Sequence, residues 1–131
     1  MSGSTVTKET GVRHFFAAAG YSWGGFRRLL NEAAFRQELL FFVVAQIALI
    51  AVGALAAEFL VSMVLFLALF ACEALNTAIE EVVDYISPEI SNVGKYAKDL
   101  GSFAVFCMLV ACTLHLAFVA VPRVYLVLFH P

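Results

Sequence analysis

The sequence contains little of the charge that a water-soluble domain carries. Asp, Glu, Lys and Arg make up 14% of the 131 residues, whereas apolar residues make up 63%. Soluble domains usually carry about 25% charged residues. Prolines are also few, and no Gly/Pro-rich linker divides the chain. The composition therefore indicates a single membrane domain over residues 1–131.

Several motifs that are typical of known enzyme classes are absent from the sequence. There is no phosphate-binding P-loop, no glycine-rich kinase loop, no nucleophile elbow and no CxxC pair. The first ten residues lack an apolar core, so no cleavable signal peptide is expected. Nothing in the sequence indicates a nucleic-acid partner. The three cysteines lie in apolar stretches, where they are predicted to be packing residues: Cys72, Cys107 and Cys112.

Three apolar segments are long enough to span a ~30 Å hydrocarbon core as helices. They cover residues 39–57, 59–86 and 100–121, and residues 87–99 form the loop before the third. Residues 11–38 repeat aromatic and apolar side chains at helical spacing, with Gly20 as a candidate break, and predict an amphipathic surface helix. A simple cytoplasmic extension is the alternative. The fold class expected is an all-α membrane protein.

The basic residues are distributed unevenly around these spans. Seven of the eight lie before the first span or in the loop before the third, and Arg123 alone follows the third span. Cytoplasmic loops carry the excess of Lys and Arg. The N-terminus is therefore predicted in the cytoplasm and the C-terminus outside.

Four polar residues share one face of the second span. Glu73, Asn76, Glu80 and Asp84 are spaced by three or four residues, which on a helix keeps them within a narrow arc. Carboxylates within a span are costly and usually functional. The alternative is a polar lock, in which a neutral Glu73 is hydrogen-bonded to a neighbouring helix.

Two further polar clusters flank the spans. Glu32 and Arg36 are predicted to pair at i,i+4. Lys98 could reach a phosphate, and Asp99 could accept a hydrogen bond. Mg²⁺ commonly binds one or two carboxylates together with substrate phosphates. These residues alone leave phosphoryl transfer, proton movement and ion binding open.

Four motifs, in order, resemble one known family. AAGYSWGG, NEAAFRQE, EALNTAIEEVVD and AKDLGS are similar to the prokaryotic integral-membrane diacylglycerol kinases, specifically the Gram-negative type. The resemblance covers residues 18–102. It implies an inner-membrane homotrimeric helical bundle with active sites between subunits, which transfers a phosphoryl group from ATP to diacylglycerol with Mg²⁺ and yields phosphatidate.

The resemblance also implies individual roles. Glu73 would be the catalytic base, Glu32 and Glu80 the metal ligands, and Asn76 and Asp84 supporting residues. The nucleotide would be bound by His14, Tyr21, Glu32, Glu80, Glu89, Ile90, Ser91, Lys98 and Asp99. The lipid would be bound by Ala18, Ala19, Gly20, Tyr21, Ser22, Trp23, Arg27, Ala34, Phe35, Arg36, Gln37, Glu38, Glu73 and Ser102.

The match is incomplete, and two other functions compete with it. The family often has Arg at the position of His14 and a basic residue at that of Tyr96. One rival is a kinase acting on undecaprenol or another lipid alcohol. The rival of another class is a channel or proton-coupled transport subunit, in which Glu73 and His115 would relay protons.

Overall fold

The computed structural model describes residues 11–87, 89 and 91–129, without the side chains of residues 12–14. These residues form four helices and no strand. The last three helices are long and apolar enough to cross a membrane, so the all-helical class is confirmed and the three predicted spans each fall on such a helix. The elements are α1 (Val12–Leu29), α2 (Ala33–Ala51), α3 (Ala56–Ile86) and α4 (Asn92–Phe129).

The corner between α1 and α2 differs from the sequence prediction. Helix α1 passes through Gly20 without a break and ends at Leu29. The Arg36 guanidinium donates to the backbone carbonyl oxygens of Leu30 at 3.1 Å and Asn31 at 2.9 Å. The predicted Glu32–Arg36 ion pair is therefore wrong, because Arg36 instead satisfies carbonyls left unpaired where α1 ends.

The connection between α2 and α3 is a tight turn that requires glycine. Gly53 has a φ of 68°, in the left-handed region that favours glycine. The Ala54 N–H donates to the Leu49 carbonyl at 2.9 Å, and the Leu55 N–H donates to the Glu58 carboxylate at 2.6 Å. These bonds end α2 and begin α3, so the two helices run antiparallel.

Helix α4 begins eight residues earlier than the predicted span. The Gly94 N–H donates to the Ser91 hydroxyl at 3.0 Å, a side-chain cap that starts the helix at Asn92. The predicted loop 87–99 is thus shortened to residues 87–91. The helix also continues past Pro122, beyond the predicted end at residue 121.

Phenylalanine rings form the centre of the core. The Phe66 ring centroid lies 5.1 Å from that of Phe41 and 5.2 Å from that of Phe42. These tilted, edge-on contacts are typical of packed aromatic pairs. Leu69, Val105 and Cys112 are buried with them. Cys112 is thus a packing residue as predicted, whereas Cys107 is exposed in the single chain.

Two ion pairs join α3 to α4, one near each end. Glu58 pairs with Arg123 at 2.8 Å, and Asp84 pairs with Lys98. The pairs are about 38 Å apart along the helices, at 1.5 Å per residue. A hydrocarbon core of ~30 Å fits between them. The hairpin therefore keeps its charged pairs outside the most costly part of a bilayer.

His115 belongs to the Glu58 end of this hairpin. Its Nε2 lies 3.0 Å from the backbone carbonyl oxygen of Glu58. Glu58 and Glu73 are about 22 Å apart along α3. His115 therefore makes a helix–helix contact, and it is too far from Glu73 to exchange protons with it directly.

The Glu58–Arg123 pair generates a stability prediction. Arg123→Gln removes the charge and should lower the thermal unfolding midpoint in detergent, whereas Arg123→Lys should recover part of the loss. Lys95→Gln, at an exposed lysine with no ion pair among the described residues, should leave the midpoint unchanged. Equal losses in the Gln and Lys variants would show that the charge does not stabilise the hairpin.

Candidate active site

The predicted catalytic and metal-binding residues line one groove, which we call the carboxylate groove. It has a volume of about 300 Å³ and lies between the start of α2, residues 73–80 of α3 and residues 102–105 of α4. Thr77 was not predicted, although its position four residues after Glu73 places it on the same helical face. The lining residues are Glu32, Ala34, Glu73, Asn76, Thr77, Glu80, Ser102 and Val105.

Within the groove, Asn76 holds Glu80. The Asn76 Nδ2 donates to Glu80 Oε1 at 3.0 Å, and the Asn76 Oδ1 is buried without a hydrogen-bond partner. Glu73 is only 4% exposed, yet no hydrogen bond or ion pair engages its carboxylate within the described part of the chain. A single chain therefore gives no support to the polar-lock alternative.

The oxygen atoms of the groove suit a hard divalent cation. Glu32 and Glu80 supply carboxylate oxygens to the groove. No group of three or more His, Cys, Asp or Glu residues that could hold a metal occurs among the described residues. Two carboxylates nevertheless fit Mg²⁺, which usually completes its shell with water and substrate phosphates.

Arg28 connects Glu32 to α3. Its guanidinium lies 2.5 Å from Glu32 Oε1 and 2.5 Å from Glu81 Oε1. The hydrogen bonds to Glu32 and then Glu81 raise the pKa of Arg28 above its ordinary value. The role of Arg28 could not be predicted from the sequence, because its contact with Glu81 spans 53 residues.

A second cavity of about 220 Å³, the loop pocket, lies where α3 meets α4. Lys98 is paired there with Asp84. Lys95, which was not predicted, also lines the pocket, whereas Ile90 and the side chain of His14 lie outside the described residues. The lining residues are Val83, Asp84, Ser87, Glu89, Ser91, Gly94, Lys95, Lys98 and Asp99.

A third cavity of about 290 Å³, the membrane pocket, adjoins the carboxylate groove. The two share Ala34 and Val105. Glu38 is 5% exposed, and its Oε2 has no hydrogen-bond partner. Phe35, also predicted to bind lipid, is buried in the core of the single chain. The lining residues are Ala34, Gln37, Glu38, Phe41, Val105 and Leu109.

The α1 residues predicted to bind lipid or nucleotide are not brought to these cavities within one chain. All are exposed, and Tyr21 is 79% exposed. Helix α1 is held instead by Arg28 and by the contact of the Phe26 ring with Phe35 at 6.0 Å. The residues in question are Ala18, Ala19, Gly20, Tyr21, Ser22, Trp23 and Arg27.

The Arg28 contacts predict how α1 is attached. Arg28→Gln should speed hydrogen exchange of the α1 backbone amides in detergent and leave exchange in α3 and α4 unchanged, because it breaks the ion pair to Glu81. Arg27→Gln is the matched control, since Arg27 makes no ion pair with a described residue. Equal exchange in the two variants would contradict the role of Arg28.

The chain is similar to known proteins over most of its length. The family model for prokaryotic diacylglycerol kinase matches residues 20–120. A Sinorhizobium diacylglycerol kinase is 56% identical over 116 residues, covering 88% of this chain and 85% of the relative. The diacylglycerol kinase of Escherichia coli K12 is 40% identical over 114 residues, covering 83% and 90%. The chain belongs to the prokaryotic diacylglycerol kinase family.

Proposed function

We propose that the chain phosphorylates diacylglycerol with ATP at the cytoplasmic face of the membrane and yields phosphatidate for lipid recycling and phospholipid metabolism. Family membership supports a lipid kinase. The observation that carries the proposal is the carboxylate groove, which brings Glu32, Glu73 and Glu80 together. Phosphoryl transfer needs such acids to hold a cation and to position the attacking hydroxyl.

Depth separates the two roles of the α3 carboxylates. A 30 Å core centred between the two ion pairs ends near Glu80 and encloses Glu73. The two carboxylates are ~10 Å apart along the helix axis. Glu80 therefore lies at the core boundary, where ATP would arrive from the cytoplasm, and Glu73 lies deeper, so the hydroxyl of diacylglycerol would have to enter the groove to reach it.

Glu73 is the general base in this proposal. Its unengaged carboxylate accepts the hydroxyl proton of diacylglycerol as the hydroxyl oxygen bonds to the γ-phosphorus of ATP. The bond between that phosphorus and the β–γ bridging oxygen breaks, and ADP leaves. Asn76 keeps Glu80 oriented through its amide hydrogen bond.

Glu32 and Glu80 would hold Mg²⁺ with the nucleotide phosphates. The bound cation would neutralise phosphate charge during transfer. Arg28 contacts only Oε1 of Glu32, so Oε2 could bind the cation, while the contact of Arg28 with Glu81 keeps the corner in place.

The loop pocket is the proposed continuation of the nucleotide site. Lys98 can offer its ammonium group to a phosphate while it remains near Asp84. Asp99, Glu89 and Ser91 line the same cavity and would contact the remainder of the nucleotide. Ile90 and His14 stay predictions that rest on the family resemblance.

The membrane pocket is the proposed seat of the lipid. Glu38 carries an unpaired buried oxygen beside apolar side chains, a combination that suits the glycerol end of a diacylglycerol molecule. Ser102 lines the adjoining groove, where the free hydroxyl would meet Glu73.

A homotrimer in the bacterial inner membrane completes the proposal. The α1 residues that the family resemblance assigns to the site do not reach the groove of their own chain. In the trimer these residues would line the groove of a neighbouring subunit. Helix α1 would lie along the cytoplasmic membrane surface. The N-terminus would be cytoplasmic and the C-terminus periplasmic, in accord with the basic residues.

An assay of lipid acceptors tests this function. The purified full chain in mixed micelles, given Mg²⁺ and ATP labelled at the γ-phosphate, should transfer label to diacylglycerol and give labelled phosphatidate. Removal of Mg²⁺ with a chelator should stop the transfer. Label in undecaprenyl phosphate alone would favour the rival kinase, and no labelled lipid at all would refute the kinase proposal.

Substitution of single acids tests the division of roles. Glu73→Gln should lower turnover by about 10²- to 10⁴-fold while leaving Mg·ATP affinity in calorimetry nearly intact, because it removes the base alone. Glu80→Gln and Glu32→Gln should weaken Mg·ATP binding. Glu58→Gln, at the far end of α3, should keep turnover below its unfolding temperature. Loss of nucleotide binding in Glu73→Gln would contradict the assignment.

A further inference from the structure

Helices α3 and α4 pack closely where Asn76 faces Gly101. A Cβ atom on Gly101 would lie 2.3 Å from Asn76 Oδ1, 3.2 Å from Asn76 Cγ and 3.5 Å from Asn76 Cα. Real Cβ atoms essentially never come closer than 3.0 Å to a neighbour. The Asn76 amide therefore occupies the volume that any side chain at position 101 would need.

This crowding fixes the orientation of the Asn76 side chain. Asn76 is 8% exposed, and its Oδ1 is buried over Gly101 without a hydrogen-bond partner. The opposite edge of the amide donates to Glu80. A carboxylate only accepts hydrogen bonds, so the amide must keep Nδ2 toward Glu80 and Oδ1 toward Gly101.

We infer that Gly101 is a positioning residue. Because it has no side chain, the Asn76 amide can pack against α4 and hold Glu80 in its metal-binding orientation. Gly101 touches neither the nucleotide nor the lipid in this account. It acts only through Asn76, whose hydrogen bond orients the Glu80 carboxylate. The role of Glu80 rests on the proposed function, whereas the placement of Asn76 does not.

Gly101→Ala tests the inference. The methyl group should displace the Asn76 amide, and Mg·ATP affinity in calorimetry should fall roughly 10- to 100-fold, as when an orienting partner of a metal ligand is lost. Alanine favours a helix more than glycine does, so helix propensity alone would stabilise the variant and would not explain a loss of affinity. Gly24→Ala is the matched control, because a Cβ there meets nothing within 4 Å.

A double-mutant cycle separates action through Asn76 from a general packing defect. Asn76→Ala removes the atoms with the closest contacts, so adding Gly101→Ala to that variant should cause little further loss of affinity. The same double variant also shows whether a poorly folding Gly101→Ala chain recovers its fold. A further loss as large as in the wild-type background would overturn the inference.

The side-chain amide signal of Asn76 in detergent-solubilised protein gives a measurement that does not depend on function. In Gly101→Ala its chemical shift should change and its protection from hydrogen exchange should be lost. In Gly24→Ala both should stay as in the wild-type chain. Retention in Gly101→Ala would overturn the inference. A wild-type chain that binds no Mg·ATP would refute the proposed function, and the amide signal would then decide the positioning of Asn76 by itself.

Discussion

The cost of placing charge in hydrocarbon governs this structure. Insertion scales put a carboxylate or ammonium group at a helix centre at roughly 2.5–3.5 kcal/mol. The two ion pairs that join α3 to α4 accordingly lie about 38 Å apart, beyond both faces of a ~30 Å core. Glu73 and Glu38, which form no ion pair with a described residue, are buried where they line the carboxylate groove and the membrane pocket.

The same constraint determines how the site is built. In the proposed function, the groove presents Glu80 to the nucleotide near the core boundary and Glu73 to the lipid hydroxyl ~10 Å deeper. Close packing between α3 and α4 must then leave room for the Asn76 amide, which donates to Glu80. Gly101 provides this room, because it places no side chain between α4 and Asn76.

Periodic features of the fold could be predicted from the sequence, whereas contacts distant in sequence could not. Helical spacing alone grouped Glu73, Asn76 and Glu80, and hydropathy located the three spans. Arg36 was assigned the wrong partner, because spacing assumes a continuous helix and the chain turns at residues 30–32. The Glu58–Arg123 pair was missed, since 65 residues separate its members in sequence.

Paramagnetic broadening of glutamate carboxyl signals tests the central claim most directly. In protein labelled with ¹³C at the Glu carboxyl groups, Mn·ATP in place of Mg·ATP should broaden the Glu32 and Glu80 signals beyond detection and Glu73 to a lesser degree. Glu58, ~33 Å from Glu80 along α3, should keep its linewidth. Unchanged Glu32 and Glu80 signals, or broadening as strong at Glu58, would contradict a nucleotide–metal site in the carboxylate groove.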